Sequence, residues 1–331
     1  MATADRPTPK VLGYWLSSEE QPATRLVDLA VDAERAGFTR AMISDHYHPW
    51  VRHQGQSSFV WSVLGAIAHA TEGLHVATGV SAPIHRLHPA VLAQAAATTA
   101  ALFGNRFSLG LGAGERLNED VTGARWPSAG ERREMLEEAI GIIRRLWTGD
   151  VVNHRGQHFQ VRNARLFTLP AAPPDILVAG GGRRTVDLAG RLGDGLISVV
   201  PDERVVEMFE ASGGHGKRRI GQLKVCYAAT ADEARRTALD WWPVGALKGG
   251  PLAELARPED FEAVTQMATE DHVAEAIVCG PETADHLQAI RAYFAAGYDE
   301  VYVHQVGPDQ RSFFDFYRLE VLPELADGFG G

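Results

Sequence analysis

The chain has 331 residues, 45% hydrophobic and 22% charged, with a formal net charge of −10. That is ample apolar material for a large core, and the acidic balance argues against nucleic acid as a partner, because phosphates attract basic surfaces. No apolar run approaches the roughly eighteen residues of a membrane span, and the N-terminal MATADRPTPK lacks an apolar signal core, so the expectation is a cytoplasmic protein without membrane contact.

Short runs rich in β-branched residues alternate with longer amphipathic stretches. Residues 11–16 read as a strand, followed by a helix through Leu26, Leu29, Ala30 and Ala33 that ends near Gly37. Residues 39–44 are the next strand, then a polar loop and a helix over 58–70. A strand over 74–80 precedes a helix over 89–102, where Pro89 suits the first turn. A strand over 106–111 and a helix over 132–147 complete the first half. The second half supplies strands over 175–179, 195–200, 223–228 and 300–305. Eight strand-helix alternations favour a parallel (β/α)8 barrel over an open sheet, because closure leaves no edge. Two stretches interrupt the rhythm. Residues 151–161 read as a hairpin and residues 242–270 as a long excursion, so we expect one domain over 1–331 with insertions at about 149–163 and 242–270.

In such a barrel the loops after the strands form the mouth and carry the chemistry. Strand two is followed by Asp45-His46-Tyr47-His48-Pro49-Trp50. His46 has the chemistry of a base near neutral pH, with the acid Asp45 beside it; otherwise Asp45 caps a turn and His46 makes a structural hydrogen bond. Glu115 follows Gly110, Gly112 and Gly114, a spacing that lets backbone approach a flat ligand with a carboxyl group at its edge; the alternative is a tight turn with a solvated glutamate. This spacing is not the dinucleotide G-x-G-x-x-G fingerprint. Gly180, Gly181 and Gly182, before a helix opening at Arg183, suit an anion held by backbone amides, or are a plain loop. His154 and His158 lie in the hairpin without a third ligand, so no metal site is expected. Cys226 and Cys279 sit among apolar neighbours and read as buried, inert thiols.

Taken in order, Gly13-Tyr14, Ser44-Asp45-His46 through Trp50, Arg52-His53-Gln54-Gly55, Gly112-Ala113-Gly114-Glu115 with Leu117-Asn118-Glu119, and Ala189-Gly190-Arg191 with Gly193-Asp194-Gly195 resemble the F420-dependent glucose-6-phosphate dehydrogenase family of luciferase-like oxidoreductases. The resemblance runs from about Val11 to Leu325. It implies a luciferase-like barrel binding coenzyme F420 at its mouth, a small-molecule substrate and a homodimer. It further implies His46 as the base on the substrate hydroxyl with Asp45 beside it, Trp50 shaping the substrate site, and Glu115 placed to deliver a proton to the deazaflavin. Glu19 falls on a further polar residue near the substrate. Asp45, Gly79, Val80, Asn118, Gly180, Gly181, Gly182 and Arg183 fall in segments that hold the coenzyme, with a cis peptide between Gly79 and Val80. The family's phosphate-gripping cations fall on Asp202, near Pro251 or Leu252, and near Ala276, so all three are lost unless Lys248 or Arg257 replaces them. A secondary alcohol or its ketone is therefore expected rather than a sugar phosphate. Three alternatives stand beside this reading: a reductase of ketones, enones or nitroaromatics using reduced F420, an FMN-dependent luciferase-like monooxygenase, and an idle barrel that only binds.

Overall fold

The computed structural model describes residues 10–247 and 250–328. Its strands, in chain order, are β1 (Val11–Leu16), β2 (Arg40–Ile43), β3 (His75–Thr78), β4 (Phe107–Leu111), the hairpin β5 (Val152–Arg155) and β6 (Gln160–Ala164), β7 (Asp175–Ala179), β8 (Gly195–Ser198), β9 (Arg218–Cys226), β10 (Val278–Cys279) and β11 (Glu300–Gln305). Eight of them pair in parallel in the cyclic order β1-β2-β3-β4-β7-β8-β9-β11, with β11 returning to β1. The sheet is a closed (β/α)8 barrel, as the alternation predicts. The helices needed below are α1 (Ala23–Ala36), α2 (Val60–Ala70), α3 (Pro89–Leu102), α4 (Arg116–Glu119), α5 (Ala129–Leu146), α6 (Arg183–Leu192), α7 (Glu203–Phe209), α8 (Ala231–Trp241) and α9 (Pro258–Thr265).

Local chemistry sets these boundaries. Helix α1 ends where Gly37 takes φ 104°, and α5 starts at a capping box in which Ser128 and Glu131 each bond the other's backbone. Strands β3 and β4 meet closely enough that a Cβ on Gly110 would lie 1.9 Å from the Thr78 carbonyl oxygen, so only glycine fits there.

The barrel interior is layered. At the ends where the strands begin, Arg218 donates two hydrogen bonds to Glu300 (2.7 and 3.1 Å) and one to Ser108 Oγ (2.9 Å), which also meets His75 Nε2 at 2.8 Å. This polar plug explains a difference from expectation. β9 begins at Arg218, five residues before 223, because Arg218 belongs to the plug and Arg219, on the opposite face, pairs with Asp299 and Glu210, so neither is part of an apolar run. Above the plug lies a dry layer of Trp15, Met42, Ala77, Leu177, Ile197, Ile220 and Tyr302. A separate apolar cluster, including Val51, Leu117, Trp242, Val244 and Phe261, joins the excursion after α8 to the mouth. Among the described residues no helix is long and apolar enough to cross a membrane.

Candidate active site

Three segments at the C-terminal end of the barrel converge on one imidazole. Glu19 follows β1, His46 follows β2, and Glu115 opens α4 after β4. His46 Nε2 lies 3.4 Å from Glu19 Oε1 and 3.5 Å from Glu115 Oε2, while its Nδ1 is 3.1 Å from the His48 carbonyl oxygen. With Nδ1 turned to that carbonyl, Nε2 is the nitrogen that faces the two carboxyl groups.

The two carboxyl groups differ. Burial pushes both up. For Glu19 the neighbouring His46, a hydrogen bond from Ser44, its own backbone amide and His304 outweigh burial, and the group ends below the usual range. Ser17 also donates to it, at 3.1 Å. Glu115 stays above the usual range, because burial and the charges of Glu19 and Glu119 exceed the opposing pull of His46 and Lys224. Its side chain is 35% accessible, yet it is sunk in a concavity lined by protein. The two carboxyl groups are thus shifted in opposite directions, Glu19 toward its ionised form and Glu115 toward its protonated form.

Asp45 does not orient His46. Its Oδ2 accepts from Ser81 Oγ at 2.5 Å and its Oδ1 from Arg86 Nη2 at 2.8 Å, and the side chain is fully buried. Neighbouring residues of an extended segment point to opposite sides, so Asp45 and His46 face apart. The carboxylate that meets His46 is Glu19. Asn118, expected along the coenzyme's tail, has its amide engaged within the protein: Oδ1 accepts from the Tyr47 amide (2.8 Å) and Nδ2 donates to Glu115 Oε2 (3.2 Å).

Trp50 forms the wall beside His46, with ring centroids 5.0 Å apart, and packs edge-on against Phe261 at 5.2 Å. Sequence reasoning missed several neighbours. Lys224, in register with His304, projects from β9 toward the same layer, and burial pulls its ammonium down to about 8 against the raising effect of Glu19, Glu20 and Glu115. Glu20 and His304 form a fully buried pair at 2.5 Å. A two-residue periodicity that places Lys224 and His304 on the same inward face as Ile220 and Tyr302 was the available signal.

The Gly79–Val80 peptide is cis, as expected, and sits in a bulge where Ser81 bonds across to β4. A Cβ on Gly112 would lie 2.6 Å from Val80 Cγ2, so this glycine lets the bulge pack flat against the β4 end. After β7 the Gly180 amide is engaged by the Ile197 carbonyl, which removes it as an anion donor. Gly181 and Gly182 open onto free space at the start of α6, and among the described residues Arg183 and Arg184 are exposed and have no ion-pair partner. Asp202 caps α7 and is ion-paired with Arg204 at 2.8 Å, so its charge is already met. Arg257 is tied to Asp260 at 2.7 Å at the start of α9, and Lys248 lies outside the described residues. Leu252 packs against the apolar cluster of the excursion. His154 and His158 pair with Glu138 and Glu134, and no metal-holding cluster occurs among the described residues. Cys226 is buried and Cys279 partly so, and burial pushes both thiols up, the latter to about 11.

Comparison with known proteins gives a consistent picture. The family described as luciferase-like monooxygenase matches residues 8–300. An F420-dependent hydroxymycolic acid dehydrogenase of Mycobacterium tuberculosis is 35% identical, over 96% of this chain and 89% of that protein. An F420-dependent glucose-6-phosphate dehydrogenase of Intrasporangium calvum is 33% identical, over 94% and 98% respectively. The structure of an F420-dependent secondary alcohol dehydrogenase in complex with an F420-acetone adduct superposes with a TM-score of 0.89 at 25% identity, covering 95% of this chain and 98% of that one. The chain belongs to the luciferase-like family.

Proposed function

We propose that this luciferase-like barrel is an F420-dependent oxidoreductase that exchanges hydride with a neutral secondary alcohol or its ketone. The observation that carries this reading is the imidazole of His46, whose Nε2 faces two carboxyl groups shifted in opposite directions, Glu19 and Glu115, beside the Trp50 wall. The residues fit the coenzyme. The flat floor at Val80 and Gly112 accepts a planar ring, while the open Gly181-Gly182 turn and unpaired Arg183 and Arg184 suit an anionic tail. When bound, F420 supplies a two-electron hydride acceptor or donor.

The protein's part is proton handling and placement. His46 Nε2 takes the substrate hydroxyl proton, and ionised Glu19 stabilises the imidazolium that results. Glu115, facing the same Nε2 and shifted toward its protonated form, is placed to supply a proton as charge shifts in the site. Trp50, braced by Phe261, excludes water and presents an apolar face to the substrate. Run backward, the same groups serve a ketone reductase.

Among the described residues at the positions where the family grips phosphate, no free cation occurs, which supports an uncharged substrate. Leu252 is apolar, Ala276 carries no charge, Asp202 is neutralised by Arg204, and Arg257 is tied to Asp260. The expected repulsion from Asp202 is therefore replaced by a simpler cause, the lack of a free cation among these positions. The test is a spectroscopic screen of F420 reduction against alcohols and sugar phosphates. Glucose 6-phosphate should be at least about a hundredfold less efficient than the best secondary alcohol, equivalent to about 3 kcal/mol of transition-state binding. Efficient, saturable turnover of glucose 6-phosphate, or binding of FMN or NADP in place of F420, would overturn the reading. An apolar groove between α2 and α3, with Phe59, Val91 and Leu102 exposed along it, supports a homodimer; light scattering at micromolar concentration checks it.

A further inference from the structure

We propose that Arg86 is a positioning residue that holds the loop of His46 and the helix of Glu115 at their working separation. The proposal rests on the reading of those two residues given above. Arg86 lies in the loop after β3, and its side chain is 10% exposed. Its Nη2 donates to both the carboxylate (2.8 Å) and the peptide carbonyl (3.1 Å) of Asp45. That carbonyl belongs to the peptide leading into His46, so the arginine fixes where the imidazole starts.

The other end of Arg86 faces Glu119. Glu119 Oε2 accepts from the amides of His85 (2.9 Å) and Arg86 (2.8 Å), and its own amide donates to the Glu115 carbonyl (3.2 Å). Glu119 therefore ties the loop after β3 to the turn that carries Glu115. Arg86 Nε and Glu119 Oε1 lie 3.9 Å apart, both buried and without a hydrogen-bond partner. A guanidinium spans this arrangement because its nitrogens are distributed in a rigid fork; one ammonium reaches one end only. The result is a buried chain, Asp45–Arg86–Glu119, running behind the site from base to acid without touching either side chain. Ser81 completes it by donating to the second oxygen of Asp45.

The experiment compares Arg86→Lys, Glu119→Gln, His46→Ala and Glu115→Gln, with the double variant Arg86→Lys/His46→Ala, on the best alcohol and F420. Arg86→Lys should lower kcat about tenfold or more, because small displacements of reacting groups are expensive, while KM, F420 affinity and melting temperature stay near wild type. Glu119→Gln keeps the two amide contacts but not the charge, and should give a smaller loss in the same parameter. Both act through the catalytic pair, so the double variant should be no slower than His46→Ala alone. A loss that multiplies fully in the double variant overturns the proposal, as does a fall in melting temperature with kcat unchanged in both Arg86→Lys and Glu119→Gln. Near-normal turnover in His46→Ala and Glu115→Gln instead overturns the reading of the site, and the proposal with it.

Discussion

The two ends of the barrel bury similar groups and use them differently. At the plug, Arg218 meets Glu300 through two hydrogen bonds, Tyr302 donates to the same carboxylate at 3.0 Å, and Arg40 adds a contact at 3.5 Å. Burial pushes Glu300 up, but these partners outweigh it and hold it ionised. Burial, with Arg218 and Arg40, drives His75 down to about 3, so it stays neutral. At the mouth the contacts to His46 are 3.4 and 3.5 Å, longer than good hydrogen bonds, and Glu115 and Lys224 are both shifted toward neutrality. Saturated pairing fixes protonation and secures the fold; incomplete pairing leaves room for a proton to move.

The sharpest way to break the comparison is to exchange effects. His46→Ala and Glu115→Gln should each lower turnover by about two to four orders of magnitude with little change in unfolding midpoint. Arg218→Met should do the reverse: removing one partner of a buried pair costs about 3–5 kcal/mol, read by urea denaturation, while the folded enzyme keeps its turnover. If Arg218→Met impairs catalysis and spares stability, the division between the two ends fails.

Acid should separate the ends further. His75 is neutral in the fold, with its titration lowered to about 3, whereas the unfolded chain takes up that proton near 6.5. The unfolded state therefore binds more protons below pH 6.5, and stability falls from there toward pH 3. Between pH 7 and pH 4.5 the wild type should lose more stability than His75→Asn; parallel losses would show that the imidazole contributes nothing to acid sensitivity. The smallest effect belongs to Lys224. Its ammonium, lowered to about 8 by burial, discharges as pH rises through that value. The profile of kcat/KM should bend near pH 8 in the wild type and not in Lys224→Met, and a bend that survives the substitution rules Lys224 out as its source.

Much of the fold was legible because strand and helix periods alternate so regularly: β1, β7 and β11 fall where the apolar runs place them. What the pattern hid was polar structure inside the barrel. Arg218 and Arg219 look like loop residues until the fold gives them partners, Glu300 in the plug for the first and Asp299 and Glu210 on the opposite face for the second, and the two-residue β10 is too short to register. The site was partly legible for the same reason. The strand-end rule picks out His46 and Glu115, and resemblance adds Glu19, Trp50 and the Gly79–Val80 bulge. Asp45 was misjudged because adjacency along a chain resembles proximity, although extended backbone sends neighbours apart. Arg86 lies behind the site in a loop whose local sequence carries no motif, and Lys224 is marked only by the two-residue period of β9; the closed barrel brings both near.

The origin of the Trp50 wall has a consequence for how such an enzyme changes its diet. Trp50 is braced by Phe261, and the apolar cluster around them draws Trp242, Val244 and Ile277 from the stretch that follows α8, while the proton-handling groups come from the first four strand ends. The bracing of the wall and the proton-handling groups therefore lie on different lengths of chain, although Trp50 itself stands in the loop of His46. Recombination that trades residues 242–279 between relatives retunes which alcohol fits and leaves the reacting groups where they were.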